Sequence, residues 1–159
     1  MTTGFVKSVV GTHNLPRSLR ALSSLPRIDY ADQFTLYTDV DATPEKWARA
    51  MFGDVPTVTE RLLWRGLLGF RLNQVRSPAT VAGWQISERG EDWIRLEAAS
   101  WFLTGNLLVQ RAVGEVSLVT FLHYRRWLGY VIWPSLSVLH RRLVPGVLYH
   151  AVTGIRATR

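Results

Sequence analysis

The chain has 159 residues, 47% of them hydrophobic, no cysteine and a formal net charge of +7. That length and apolar content describe one domain with enough chain to bury a core, and the lack of cysteine excludes disulfides and thiolate metal sites. The charge invites a nucleic-acid reading, but the arginines are scattered and paired only at Arg125–Arg126 and Arg141–Arg142. Phosphate tracking needs a contiguous basic face with interleaved aromatics, so nucleic acid is not an expected partner.

Residues 1–28 read as an N-terminal arm, punctuated by Pro16, Ser23–Ser24 and Pro26, with Leu19, Leu22 and Leu25 available to dock it onto the body. The apolar patch in Met1–Gly11 is too short for a signal-peptide core, and a cytoplasmic location is expected. Gln33–Thr38 alternates as a strand. A first helix is well marked: Thr43 suits the N-cap, Pro44 the first helical position and Glu45 the positive helix end, and Gly53 stops it after Trp47, Met51 and Phe52. Thr59–Leu72 reads as a second helix with Leu63, Leu67 and Phe70 inward. Gly66 and Gly69 weaken it by about 1 kcal/mol each relative to alanine.

A strand meander follows. Val81–Ser87, Trp93–Phe102, Leu107–Ala112 and Val116–Tyr124 are separated by turns containing Gly90, Gly105 and Gly114. Side chains alternate faces along a strand. One parity is expected to persist through every turn, so the even positions (Trp84, Ile94, Leu96, Ser100, Leu108, Gln110, Leu118, Thr120, Leu122 among them) share an apolar face. The odd face is then mixed and wet. Trp127–Val152 is the last apolar segment, roughly 39 Å long if helical. His140-Arg141-Arg142 at its middle argues against a membrane span. Ile132, Leu136, Leu139, Leu143 and Val147 form its expected inward stripe, and Pro145 is expected to kink or interrupt it.

The expected fold is therefore α+β: a curved antiparallel sheet wrapped around a long C-terminal helix, with two short helices after the first strand. Residues 29–153 form the domain and residues 154–159 a tail. Four stretches, Asp29-Tyr30-Ala31-Asp32, Trp47 to Gly53, Val81 to Trp84 and Leu139 to Pro145, carry a resemblance to the START-like, or SRPBCC, helix-grip superfamily. Within it the chain resembles a small actinobacterial branch, the DUF2867 family. The resemblance covers most of the chain from residue 29 onward. It implies a cavity between sheet and helix, of the kind the superfamily uses for lipids, sterols and polyketides.

A pocket of that kind needs an apolar wall with a few orienting polar groups. The candidate ligand-binding residues are Trp64, Trp84, Leu96, Ser100, Gln110, Thr120, Tyr124 and His140, with Ser100, Thr120 and Gln110 as polar groups on the inward parity. His140 borders the apolar stripe, where an imidazole can orient a carbonyl or act as acid or base near neutral pH. For most of these residues a structural role, a hydroxyl bonded to its own sheet or an aromatic in the core, competes with the functional one. No nucleophile elbow, phosphate loop or dinucleotide fingerprint is present. His13, His123, His140 and His150 lack metal-ligand spacing, so neither cofactor nor metal is expected. The leading expectation is a monomer or homodimer that binds a small hydrophobic or amphipathic ligand, lipid- or polyketide-like. The alternatives are a cyclase/aromatase-like enzyme with His140 and Tyr124 as catalytic candidates, and a peripheral membrane or protein-interaction module using Trp127, Trp133 and the arginine pairs.

Overall fold

The computed structural model describes residues 4–53, 64, 68–73 and 75–158. Its strands are β1 (Val6–Val10), β2 (Tyr30–Tyr37), β3 (Thr80–Val81), β4 (Trp84–Arg89), β5 (Trp93–Ala99), β6 (Leu103–Ala112) and β7 (Glu115–Tyr124). They form one antiparallel sheet in the order β1-β2-β7-β6-β5-β4-β3. Among the described residues the α-helices are α1 (Arg17–Arg20), α2 (Pro44–Phe52) and α3 (Trp127–Ala157). The sheet is curved and open, with α3 against one face, so the α+β helix-grip arrangement expected from the order of elements is present.

Local chemistry explains α2. Thr43 Oγ1 accepts the Lys46 N–H at 3.1 Å, and Pro44 opens the first turn. Gly53 takes φ 81°, a conformation that favours glycine, and its N–H returns to Arg49 O at 2.8 Å. Trp47, Ala48, Met51 and Phe52 face the core. Most of the expected helix Thr59–Leu72 lies outside the described residues; its described end, Leu68–Leu72, is not helical.

The N-terminal segment is more than an arm. Val6–Val10 is strand β1, in register with β2 from Val6↔Leu36 to Val10↔Asp32. The stretch after it covers the sheet face opposite α3. Leu15 and Leu19 are buried there with Ala31, Leu108, Val119 and Phe121, and Leu22, Leu25 and Ile28 pack around them. Asn106, fully buried on that face, accepts Ser24 N at 2.9 Å, and Ser24 Oγ donates to Glu97 at 2.5 Å. The face expected to be wet is therefore a second, smaller core.

The assumption of a single parity fails at β6. Ala99↔Thr104 and Ala112↔Glu115 close loops with an even number of intervening residues, so facing partners have opposite parity. The α3 side of β6 carries the odd residues Leu103, Leu107 and Val109, while Leu108 faces the arm. Parity flips back at β7, where Val116, Leu118 and Leu122 again face α3. Between β4 and β5 a bulge between Ile86 and Glu88 offsets the shift introduced by the turn.

α3 also departs from expectation. Pro145 does not interrupt it: the helix runs through both Pro134 and Pro145, although each proline leaves a carbonyl four residues earlier without its helical N–H. Its tightly buried side carries Gly129, Trp133, Ser137, Val144, Leu148, Ala151, Val152 and Ile155, with Ile132, Leu136 and Val147 at the margin. Leu139 and Leu143, expected inward, are exposed. The small residues set this rotation: an added Cβ at Gly129 would lie 3.1 Å from Leu103 and Tyr124, so bare backbone meets the sheet there.

Candidate functional site

A small cavity of about 40 Å³ lies between the sheet and α3. Trp64, Leu68, Phe70, Trp84, Leu107, Leu122, Trp133 and Leu136 give it an apolar wall, and Thr120 and His140 give it a polar end. The aromatics pack edge to face: Trp64 on Trp84 at 5.5 Å between ring centroids, and Trp133 near Tyr30 at 5.1 Å. Phe70 and Trp84 close over β6 because Gly105 has no side chain. A Cβ there would sit 3.3 Å from both rings and 3.2 Å from Leu122.

Behind His140 stands a buried carboxylate. Asp32 on β2 is 0% exposed, and its Oδ2 lies 3.0 Å from His140 Nε2 and accepts the Tyr30 hydroxyl at 2.5 Å. Thr120 Oγ1 on β7 meets the same Nε2 at 3.3 Å. Burial, followed by the charge and hydrogen bond of Asp32, pushes the Tyr30 hydroxyl well above its ordinary range, so it stays a protonated donor. Both contacts fall on one ring nitrogen. A nucleophile relay needs a carboxylate on one nitrogen and a hydroxyl on the other, so this is not such a triad. It is a fixed imidazole at the edge of an apolar space.

Three buried polar atoms of this region have no hydrogen-bond partner among the described residues: Asp32 Oδ1 and the indole nitrogens of Trp84 and Trp133. The two tryptophans belong to the cavity wall. Leaving such a group unpaired costs about 1–3 kcal/mol.

A second polar cluster sits where β2 begins. Asp29 accepts the Tyr124 N–H at 2.7 Å, faces His123 Nδ1 at 3.0 Å and pairs with Arg27 at 2.8 Å. Burial works to raise the Asp29 carboxyl, but those three contacts outweigh it and hold it below the usual carboxylate range.

Of the sequence-derived candidates, Trp64, Trp84, Thr120 and His140 meet at the cavity. Leu96 is buried in the same core without lining the cavity. Ser100 closes the β5–β6 turn, accepting Leu103 N at 3.0 Å. Gln110 is on the opposite face with Gln33, Trp93 and Leu19, a consequence of the parity change. Tyr124 packs edge to face on Tyr130 at 4.6 Å between ring centroids and does not line the cavity. Burial, then Asp29 and Tyr130, pushes its hydroxyl up to about 12, which makes it a poor acid near neutral pH. Glu97 bonds to Ser24, while Arg95 pairs with Glu88 and Arg111 with Asp41 and Asp92.

Asp32 and Tyr30 escape a strand begun at Gln33. The signal is present: continued backward, the face that carries Phe34 and Leu36 takes in Asp32 and Tyr30, which places a carboxylate on an apolar face. Trp133, which the peripheral-membrane alternative needs at the surface, is 4% exposed, whereas Trp127 is 70% exposed.

No protein-family profile, curated protein or solved structure matches the chain.

Proposed function

We propose that the protein binds a small, largely apolar ligand carrying a hydrogen-bond acceptor in the space between sheet and α3. The observation that carries this reading is the apolar cavity whose wall holds two unpartnered indole N–H donors and whose end is a fixed imidazole. A ligand acceptor that meets one of these donors recovers a desolvation cost of about 1–3 kcal/mol. The volume sets the scale. At about 40 Å³ the space is far below the roughly 300–1,000 Å³ of drug-sized sites and below the roughly 150 Å³ that holds a benzene. Even a compact aromatic or short acyl group therefore enters only if wall side chains such as Leu68 and Leu136 move aside, and a whole lipid is excluded. The arrangement of a curved sheet against a long helix, which can enclose a space of this kind, supports the same reading.

Titration with 4-ethylphenol, followed by tryptophan fluorescence and thermal shift, tests it. Saturable binding that Leu107→Phe abolishes and His140→Ala weakens roughly fivefold, the worth of about one hydrogen bond, is the expected result. A flat titration with this probe and with short-chain carboxylic acids would remove the reading.

One observation favours an enzyme of cyclase or aromatase type as the second reading. His140 lines the cavity with Asp32 against its Nε2, an arrangement that fixes where an imidazole holds its proton. Catalysis predicts that His140→Ala abolishes turnover with affinity kept; simple binding predicts lost affinity.

A further inference from the structure

A helix that is apolar on both sides is ordinarily covered on both sides. The sheet and α2 cover one side of α3, where Trp133, Val144, Leu148 and Val152 are buried. Its other side presents Trp127, Val131, Val138, Leu139, Leu143 and Tyr149 to solvent, an apolar strip about 33 Å long.

The charge that α3 itself carries has one sign, although Asp39, from before α2, pairs with Arg156 near its end. Glu115 is the last acidic residue in the chain; Val116–Arg159 contains six arginines and no aspartate or glutamate, whereas the first 115 residues carry 13 basic and 12 acidic residues. Nearly all of the +7 therefore resides in β7, α3 and the chain flanking them. Arg126 and Arg142 are exposed, and their side chains form no hydrogen bond or ion pair among the described residues. Arg126 adjoins Trp127, and Arg142 lies within the strip beside Leu143.

We propose that the outward face of α3 docks on the surface of a bilayer containing anionic phospholipid. Trp127 carries the amphipathic ring that settles at headgroup level, the Tyr149 hydroxyl being donated to Gly4 O at 3.3 Å, and the two free arginines reach lipid phosphates while their stems lie on apolar surface. The helix lies in the plane of the surface; no helix among the described residues is long and apolar enough to cross a membrane. A second copy is the poorer occupant, because two such faces would oppose their arginines with no carboxylate from α3 to neutralise them. Nucleic acid leaves the apolar strip unused. The face lies on the far side of α3 from Trp133, so the cavity reading and this one stand or fall separately.

Flotation of the full chain with vesicles of phosphatidylcholine, alone or mixed with phosphatidylglycerol, tests the proposal. The chain should float with the mixed vesicles, release as salt rises, and bind pure phosphatidylcholine far more weakly. Arg126→Gln/Arg142→Gln should weaken binding about 25-fold, roughly fivefold for each arginine. Val131→Ser/Val138→Ser should abolish it with the thermal melt unchanged. Failure of the parent chain to float with mixed vesicles overturns the proposal, as does binding indifferent to salt and to loss of the arginines. A dimer in sedimentation velocity that Val131→Ser/Val138→Ser dissociates, without flotation of the parent, would assign the face to self-association instead.

Discussion

Replacing His140 by alanine should expose how much the buried carboxylate depends on the imidazole. Asp32 has no solvent access, and its contacts are the Tyr30 hydroxyl at 2.5 Å and His140 Nε2 at 3.0 Å. Removing the partner of a buried carboxylate leaves it short of a hydrogen bond, at a cost of about 1–3 kcal/mol. For a chain of this length each kcal/mol lowers Tm by about 2–4 °C, so His140→Ala should melt roughly 2–12 °C early. Asp32→Asn keeps the volume and an acceptor for Tyr30 but removes the charge. It should therefore destabilise the parent, yet stabilise the His140→Ala variant. That reversal of sign is the diagnostic result, and urea unfolding followed by tryptophan fluorescence reads it as a shift in midpoint at constant slope. Additive costs, with Asp32→Asn destabilising in both backgrounds, would refute the view that carboxylate and imidazole face each other in a dry site.

Asp29→Asn should show an acid-dependent cost. The folded carboxyl lies below its unfolded value, so its contribution is full above about pH 4 and is lost as pH falls through the lowered folded pKa. Midpoints measured across pH should differ by about 2 kcal/mol near neutrality and converge in acid; a difference independent of pH would contradict this. Gly105→Ala places a methyl 3.2–3.3 Å from Leu122, Phe70 and Trp84, and overpacking of that kind costs about 1–3 kcal/mol. It should also lower affinity for the small-ligand probe, and unchanged stability together with unchanged affinity would count against the cavity as drawn. Gly83→Ala combines φ 86° with a Cβ only 2.7 Å from Asn73 O. The backbone alone costs about 1–2 kcal/mol, so a melt equal to that of the parent would contradict the turn geometry.

Local signals were the legible ones. Thr43, Pro44 and Gly53 mark α2 because capping and backbone freedom act over a few residues. The meander and the long final helix follow from alternation and from turn glycines. The inward face of β6 was not legible from a single parity. Which parity faces α3 depends on whether each loop holds an odd or even number of residues, and that is settled by pairing. This moved Gln110 to the arm side and brought Leu107 to the cavity. The rotation of α3 was hidden for a related reason. Its outward side is also apolar, so hydrophobic spacing offers two solutions, and the close approach at Gly129 decides between them. Asp32 was within reach, since a carboxylate in step with Phe34 and Leu36 has to be buried or break the strand. Which imidazole would meet it, from more than a hundred residues away, was not. The valine-rich β1 shows that a short edge strand can hide inside a segment that otherwise reads as an arm.

The claim that the space between sheet and α3 holds a ligand is tested most directly by native mass spectrometry of the freshly purified chain, followed by denaturing extraction. The expected spectrum shows an adduct of small aromatic or short-acyl mass, released on unfolding and absent from Leu107→Phe. A bare chain that takes up neither 4-ethylphenol nor a short-chain acid under the same conditions would contradict it.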